Sequence, residues 1–275
     1  MLKFNEVGVV LDIVNGYLPD DYIFPIPDPR SNKPEILFDK KTKHTHLIQR
    51  LVETEAGSTS FGLAIPNEIA LALSVAGKAQ SRAVQLRNKV LQHARQVNGS
   101  LHKQEVVDAY DYLEQIQTCI VFSYKSVEAF CNASIPDDFV YTRTNSKGIL
   151  EHYPKQQIER WINTSEKVSK ILPTVLSTQD PNQESFWSGF QNLERMRNEI
   201  MHSKSSSSAK ILAELFSDAV DDYVRASREL LHYFIKTDSA NPIFPFGFGK
   251  SSIQSFEIED ITLRFTHCKK MPQDE

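Results

Sequence analysis

From Asn67 to Lys236 the apolar residues recur at three- and four-residue spacing, broken where capping and helix-stopping residues fall. That period buries one stripe per segment and argues against a sheet as the core of this region. It predicts five helices. The first starts at Asn67, a good N-cap with Glu68 in its first turn, and runs to about Val97, ahead of Asn98-Gly99. The second spans about Lys103 to Ala133, with Val106, Tyr110, Leu113, Ile120, Tyr124, Val127 and Cys131 as its apolar stripe, and stops at Pro136. The third covers Pro154 to Leu172, with Pro173 just beyond its end. The fourth follows Asp180-Pro181 and reaches about Ser203, and the fifth runs from about Ser208 to Lys236. The serine-rich stretch between them is flexible by composition.

The flanks follow another grammar. Val7 to Val14 is a short, largely β-branched run that ends at the turn signal Asn15-Gly16. Pro19, Pro25, Pro27, Pro29 and Pro34 then exclude a long helix, and Ile36 to Phe38 forms a second short apolar run. After Thr237, Pro242, Pro245, Gly247 and Gly249 make a loop, and Ile258, Ile261, Leu263 and Phe265 read as a late strand pairing with the N-terminal one. The expected organisation is a β-rich segment over 1–66, a helical bundle over 67–236, and a loop and strand over 237–275. The fold class is mainly α with short β-rich ends.

Charge and cysteines narrow the chemistry. The 31 Lys+Arg against 35 Asp+Glu give a net charge of −4. A protein that coats nucleic acid non-specifically is usually basic, so any nucleic-acid contact here is expected to be local and in a groove. The cysteines, Cys119, Cys131 and Cys268, have no metal-type spacing and suit no disulfide framework, which points to a reducing, cytoplasmic setting. The first residues lack the pattern of a secretory signal, and the longest nearly apolar run, Ile69 to Gly77, is about half a membrane span, so no membrane segment is expected. Cys119 and Cys131 read as core residues, as do Trp161 and Trp187. His44 and His46 lack further ligands for a metal.

The fourth helix carries the chemistry. Phe186, Phe190, Leu193 and Ile200 share one stripe, and Arg197 falls on it. An arginine there must snorkel, pair or face another surface. Arg195, Asn198 and His202 share a second stripe at the same helix end. Imidazole is the natural acid–base group near neutral pH, and a guanidinium grips phosphate and stabilises charge developing on it. With no carboxylate pair or ligand group suggesting metal-assisted hydrolysis, the set suits metal-free cleavage of RNA by its own 2′-hydroxyl. The same spacing also fits an Arg197 paired with a core carboxylate and a His202 that merely ends a helix. Spacing leaves both open.

Arg197-Asn198-Glu199-Ile200-Met201-His202 resembles the signature of HEPN ribonuclease domains: Arg, a polar residue that is often Asn, then His a few residues on. The motif sits late in a four- to five-helix bundle in that family. Val127 to Asn132 resembles the family's first core helix, so the likeness covers about residues 104–236. It implies that Arg197 binds the scissile phosphate, His202 acts as acid–base, Asn198 orients substrate or the partner's motif, and Glu128 holds an arginine or histidine from the neighbouring helix; Arg195, on the stripe of Asn198 and His202, reads as a supporting residue. It implies RNA as substrate, no cofactor and no metal, a homodimer with a composite active site, and a toxin or antiviral defence role with an antitoxin or sensor partner. The alternative is a HEPN-like bundle without catalysis, serving as a partner-docking or nucleotide-sensing subunit.

Arg87-Asn88-Lys89-Val90-Leu91-Gln92-His93 satisfies the same pattern. Spacing does not separate the two matches. Context favours 197–202, which follows an aromatic run, places its arginine on the apolar stripe and ends its helix at the histidine. Arg197 is accordingly expected to be buried from bulk water beside an opening or a two-fold interface, with Asn198 and His202 within side-chain reach.

Overall fold

A computed structural model of the chain describes residues 6–13, 28–96, 99, 101–202, 208–237, 239, 241–253, 255–259 and 269–270. The serine-rich stretch, the Asn15-Gly16 turn signal, Cys268 and most of the expected late strand lie outside the described residues. The fold is mainly α. It comprises two compact units, residues 1–70 with 238–275 and residues 71–237, so both β-rich flanks belong to one unit.

The first unit is built on a long central strand. Strands β1 (Glu6–Ile13) and β2 (Glu35–Asp39) both pair antiparallel with β3 (Thr45–Ala56), in registers Ile13↔Thr45 and Phe38↔Thr45. Strand β4 (Thr59–Ala64) returns along β3 through a two-residue turn at Gly57-Ser58, where Gly57 takes φ 63°, a backbone region open to glycine. β1 and β2 match the two apolar runs of the sequence. β3 and β4 were not expected: their alternation is diluted by charged and polar residues, and their pairing partners make them strands.

The second unit holds the helices. Helix α1 (Glu68–Gln96) is capped by Asn67, whose Oδ1 accepts the Ala70 amide at 3.0 Å. Helix α2 (Lys103–Ser134) lies centrally. A hairpin, β5 (Val140–Thr144) and β6 (Leu150–Pro154), follows, then α3 (Lys155–Trp161). The third expected helix is broken. Ile162 is extended, and Asn163 caps a new start by accepting the Glu166 amide at 2.7 Å. That segment runs through α4 (Thr164–Glu166), a π-helical turn over Lys167–Ile171 and α5 (Leu172–Val175). Helix α6 (Trp187–Met201) follows, then α7 (Ser208–Leu215) and α8 (Ala219–Ile235), so the fifth expected helix is also divided.

The core of this unit is Tyr112, Ile116, Ile120, Tyr124, Val127 and Phe130 of α2 with buried residues of α6 and α8. The two later helices approach closely at Gly189. A Cβ there would lie 2.9 Å from Ala226 Cβ and 3.2 Å from the Asp222 carbonyl oxygen. Cys119 and Cys131 are buried, as expected, and burial pushes their thiols up to about 11 and about 12. Trp161 is not a core residue: it is 59% exposed at the end of α3.

The α2 stripe differs from the expected one. Tyr110 is 66% exposed and Val106 39%. In the first two turns the inward positions are polar: Asp108 pairs with Lys89 of α1 at 2.5 Å, and Glu105 with His93 at 3.5 Å. A polar clasp to α1 thus occupies the face that the period assigns to apolar packing, and the apolar stripe takes over from Tyr112 onward.

Back in the first unit, β7 (Ser255–Ile258) pairs parallel with β2, and β8 (Lys269–Lys270) parallel with β1. The sheet order is β7-β2-β3-β1-β8, with β4 on β3. Among the described residues no helix is long and apolar enough to cross a membrane.

Candidate active site

Helix α6 buries Phe190, Leu193 and Met196 completely, which fixes its rotation in the bundle. Arg197 follows Met196 and is half-buried at the margin of that stripe. Its guanidinium carbon lies 4.6 Å from the centroid of the Tyr124 ring, on α2. Its Nη1 donates to Asn198 Oδ1 at 2.9 Å. Among the described residues Arg197 makes no ion pair.

The acid best placed to neutralise Arg197 is Glu194, one turn earlier on α6, at the spacing that ordinarily forms helix ion pairs. Glu194 is engaged elsewhere. Its Oε1 accepts the Tyr124 hydroxyl at 3.0 Å and the Ser165 amide at 3.3 Å, and its Oε2 accepts the Ser165 hydroxyl. The Ser165 amide belongs to the first turn of α4, where unpaired amides and the helix dipole favour an anion. Thr164 Oγ1 completes the arrangement, 2.7 Å from the Tyr124 hydroxyl. Tyr124 is 4% exposed, and burial raises its phenol well above the ordinary range, so it remains protonated.

The other expected residues fall as follows. Asn198 is exposed and bonded to Arg197. His202 is the exposed C-cap of α6. Its backbone amide donates to the Asn198 carbonyl at 2.9 Å, and its imidazole has no hydrogen bond among the described residues. Arg195 turns to the other side of α6 and pairs with Glu214 of α7, which also accepts the Tyr223 hydroxyl at 2.9 Å. Glu128, one turn beyond Tyr124 on α2, is half-buried and makes no ion pair among the described residues, and its charge is felt by Tyr124 and by the buried Lys167. The structure therefore joins Arg197 to Asn198 and Tyr124, and directs Arg195 away from them.

Sequence reading did not pick out Tyr124, Glu194 and Ser165 as site residues. Tyr124 was legible as a stripe residue of α2, but its contact with Arg197 crosses between helices. The one available signal was Asn163: an N-cap residue inside an apparent helix marks a new start, and so a set of free amides near Ser165.

The second Arg-Asn…His match is used differently. Arg87 Nε and Nη2 donate to the Phe216 carbonyl at 3.1 and 2.8 Å, and Nη2 also reaches Asp218 Oδ1 at 2.6 Å. Phe216 packs against Tyr112, ring centroids 4.6 Å apart and planes tilted by 43°, in the break between α7 and α8. Arg87, Asn88, Tyr112 and Asp221 line a small cleft of about 180 Å³ beside this break. His93 is held by Glu105 and lies edge-on to His102. Among the described residues no three His, Cys, Asp or Glu side chains converge as metal ligands would. Compared with family models, curated proteins and solved structures, the chain matches none of them.

Proposed function

We propose that this chain is a metal-independent endoribonuclease of HEPN type, acting as a toxin or antiviral defence effector in the cytoplasm. The observation that carries the reading is the state of Arg197: a half-buried guanidinium on an aromatic face, with no ion-pair partner among the described residues and the neighbouring carboxylate, Glu194, committed to Tyr124 and Ser165. A cation prepared in this way attracts an anion, and a guanidinium matches the paired oxygens of a phosphate.

In the proposed reaction the 2′-hydroxyl of the RNA attacks the adjacent phosphorus, and the bond to the 5′-oxygen breaks. His202 moves the proton, Arg197 stabilises the charge gathering on the phosphoryl oxygens, and Asn198 holds Arg197 in place. The products are a 2′,3′-cyclic phosphate and a 5′-hydroxyl. Two copies bringing their 197–202 segments together would form the composite site. One observation favours the alternative of a non-catalytic docking subunit: in the single chain the His202 imidazole makes no hydrogen bond to Arg197 or Asn198.

Incubating the purified full chain with a mixed RNA pool in the presence of a chelator tests the proposal. Cyclic-phosphate ends are expected, with no cutting of DNA. His202→Ala and Arg197→Ala should each reduce the rate by at least ~100-fold with the fold intact. Activity that vanishes with chelator, or DNA cut as readily as RNA, refutes the mechanism. No cleavage by a dimer whose two motifs stand apart replaces it with the docking reading.

A further inference from the structure

We infer that Tyr124 is a positioning residue for Arg197: its ring is the platform that holds the guanidinium, and Glu194, with Thr164 and the first turn of α4, is the clamp that holds the ring. The inference rests on the ribonuclease reading for its functional consequence, but its geometry stands apart from that reading.

An arginine side chain has several rotatable bonds, and freezing it costs rotamer entropy. In a site that must meet a phosphate, that cost falls on binding unless the side chain is already ordered. A partly exposed arginine can be ordered by a carboxylate, as Arg143 is by Glu166 at 2.8 Å, but a carboxylate also neutralises the charge that the phosphate needs. An aromatic face orders the guanidinium and leaves its charge and most of its N–H donors unspent. The 4.6 Å approach of Arg197 to the Tyr124 ring is of this kind.

The ring is itself unusually constrained. Tyr124 is 4% exposed, and its hydroxyl lies between Thr164 Oγ1 and Glu194 Oε1. Glu194 is fixed by the Ser165 amide and hydroxyl. Three separate segments, α2, the start of α4, and α6, thus converge on one phenol. The arrangement also draws Glu194 away from Arg197, although both lie on α6 one turn apart. One contact therefore orders the arginine, and the same network keeps its charge uncompensated.

The test uses the full chain with Tyr124→Leu, Tyr124→Phe, Glu194→Gln and Arg197→Lys. The probes are a fluorescein-labelled RNA oligonucleotide with every 2′-hydroxyl O-methylated, to read binding without cleavage, and the unmodified oligonucleotide, to read cleavage. The Nε–H resonance of Arg197, assigned by its loss in Arg197→Lys, reports the stack directly through the ring current. In the wild type it should be shifted upfield, remain so in Tyr124→Phe, and move to the position of a solvated arginine in Tyr124→Leu. Binding and cleavage should weaken by roughly tenfold in Tyr124→Leu, with most of that loss recovered in Tyr124→Phe. Glu194→Gln, which leaves the ring and loosens its clamp, should broaden the resonance, and it keeps the inference testable if Tyr124→Leu does not fold. An Arg197 resonance unchanged in folded Tyr124→Leu overturns the inference, as does an equal loss in the Leu and Phe variants. If Arg197→Lys leaves RNA binding and cleavage untouched, the ribonuclease reading fails while the resonance still decides the role of Tyr124.

Discussion

The two Arg-Asn…His segments should respond in opposite ways to the same substitution. Arg87→Met removes two hydrogen bonds from a guanidinium to the Phe216 carbonyl, at 3.1 and 2.8 Å, in a side chain only 18% exposed. A hydrogen bond to a charged group contributes about 1.5–3 kcal/mol in mutational series, and the two here share one acceptor, so they count as little more than one. The ion pair to Asp218 adds at most about 1 kcal/mol, because that carboxylate is 93% exposed. The expected loss is about 2–3 kcal/mol. Arg197→Met removes a stack worth about 0.5–1 kcal/mol at a partly exposed site, and methionine restores some of it through sulfur–aromatic contact with Tyr124. Its expected cost is below about 1 kcal/mol. Urea unfolding followed by circular dichroism measures both, and cleavage of the RNA pool is compared well below each midpoint. Arg87→Met should lower the midpoint and leave cleavage per folded molecule intact, as should His93→Ala. Arg197→Met should barely move the midpoint and abolish cleavage. An unmoved midpoint in Arg87→Met, or a folded Arg87→Met as inactive as Arg197→Met, refutes the assignment of the first segment to structure and the second to chemistry.

Two further outcomes follow from packing and titration. Gly189→Ala places a Cβ 2.9 Å from Ala226 Cβ and 3.2 Å from the Asp222 carbonyl, so α6 and α8 must separate. Overpacking of this kind costs ~1–3 kcal/mol, against a helix-propensity gain of ~1 kcal/mol, and a thermal melt should show net destabilisation, relieved by adding Ala226→Gly. Tyr112 and Cys119 are raised by burial to about 12 and about 11. A raised group gives stability that is complete below its unfolded value and lost as pH climbs toward its folded one. The melting temperature should therefore fall as pH rises from about 9 toward 12, and the fall should be shallower in Tyr112→Phe. A melting temperature constant over that range would contradict the burial of these groups.

Local signals in the chain specified most of the helical unit. Asn67 is the cap of α1, the 3.6-residue period marks α1, α2, α6 and α8, and Phe190 and Leu193 on α6, with Phe186 at its N-cap, are buried as the period requires. What local signals missed depends on distant partners. The hairpin β5–β6 has a legible turn, in which Asn145 Oδ1 accepts the Lys147 and Ile149 amides and Gly148 takes φ 75°. Its strands are only five residues each, and what fixes them is Arg143 and Tyr141 on Glu166, more than twenty positions away. Of the two helix breaks, that at Ile162 has a local sign in Asn163, and that at Phe216 is hidden in the same way as the hairpin. The first is set by the Asn163 cap and the second by Arg87 and Tyr112 gripping the 215–218 turn.

The site shows the same limit more sharply. Glu194 and Arg197 stand at i and i+3, and the local rule for helices gives them to each other as an ion pair worth a few tenths of a kcal/mol, roughly 0.2–0.5. With that pair formed, Arg197 would be an ordinary neutralised arginine, and the proposed reaction would lose its phosphate-binding cation. The fold overrides the local rule because Glu194 has stronger claims on it from outside its own helix: a phenol on α2, and an amide and a hydroxyl at the start of α4. Those three donors outweigh one partly exposed ion pair, since hydrogen bonds to a charged acceptor contribute about 1.5–3 kcal/mol each before their overlap is discounted. The charge on Arg197 is thus left open by a competition decided elsewhere in the bundle. The motif by itself does not say which arginine keeps its charge open, and Arg87 and Arg197 part fully only when their partners are known.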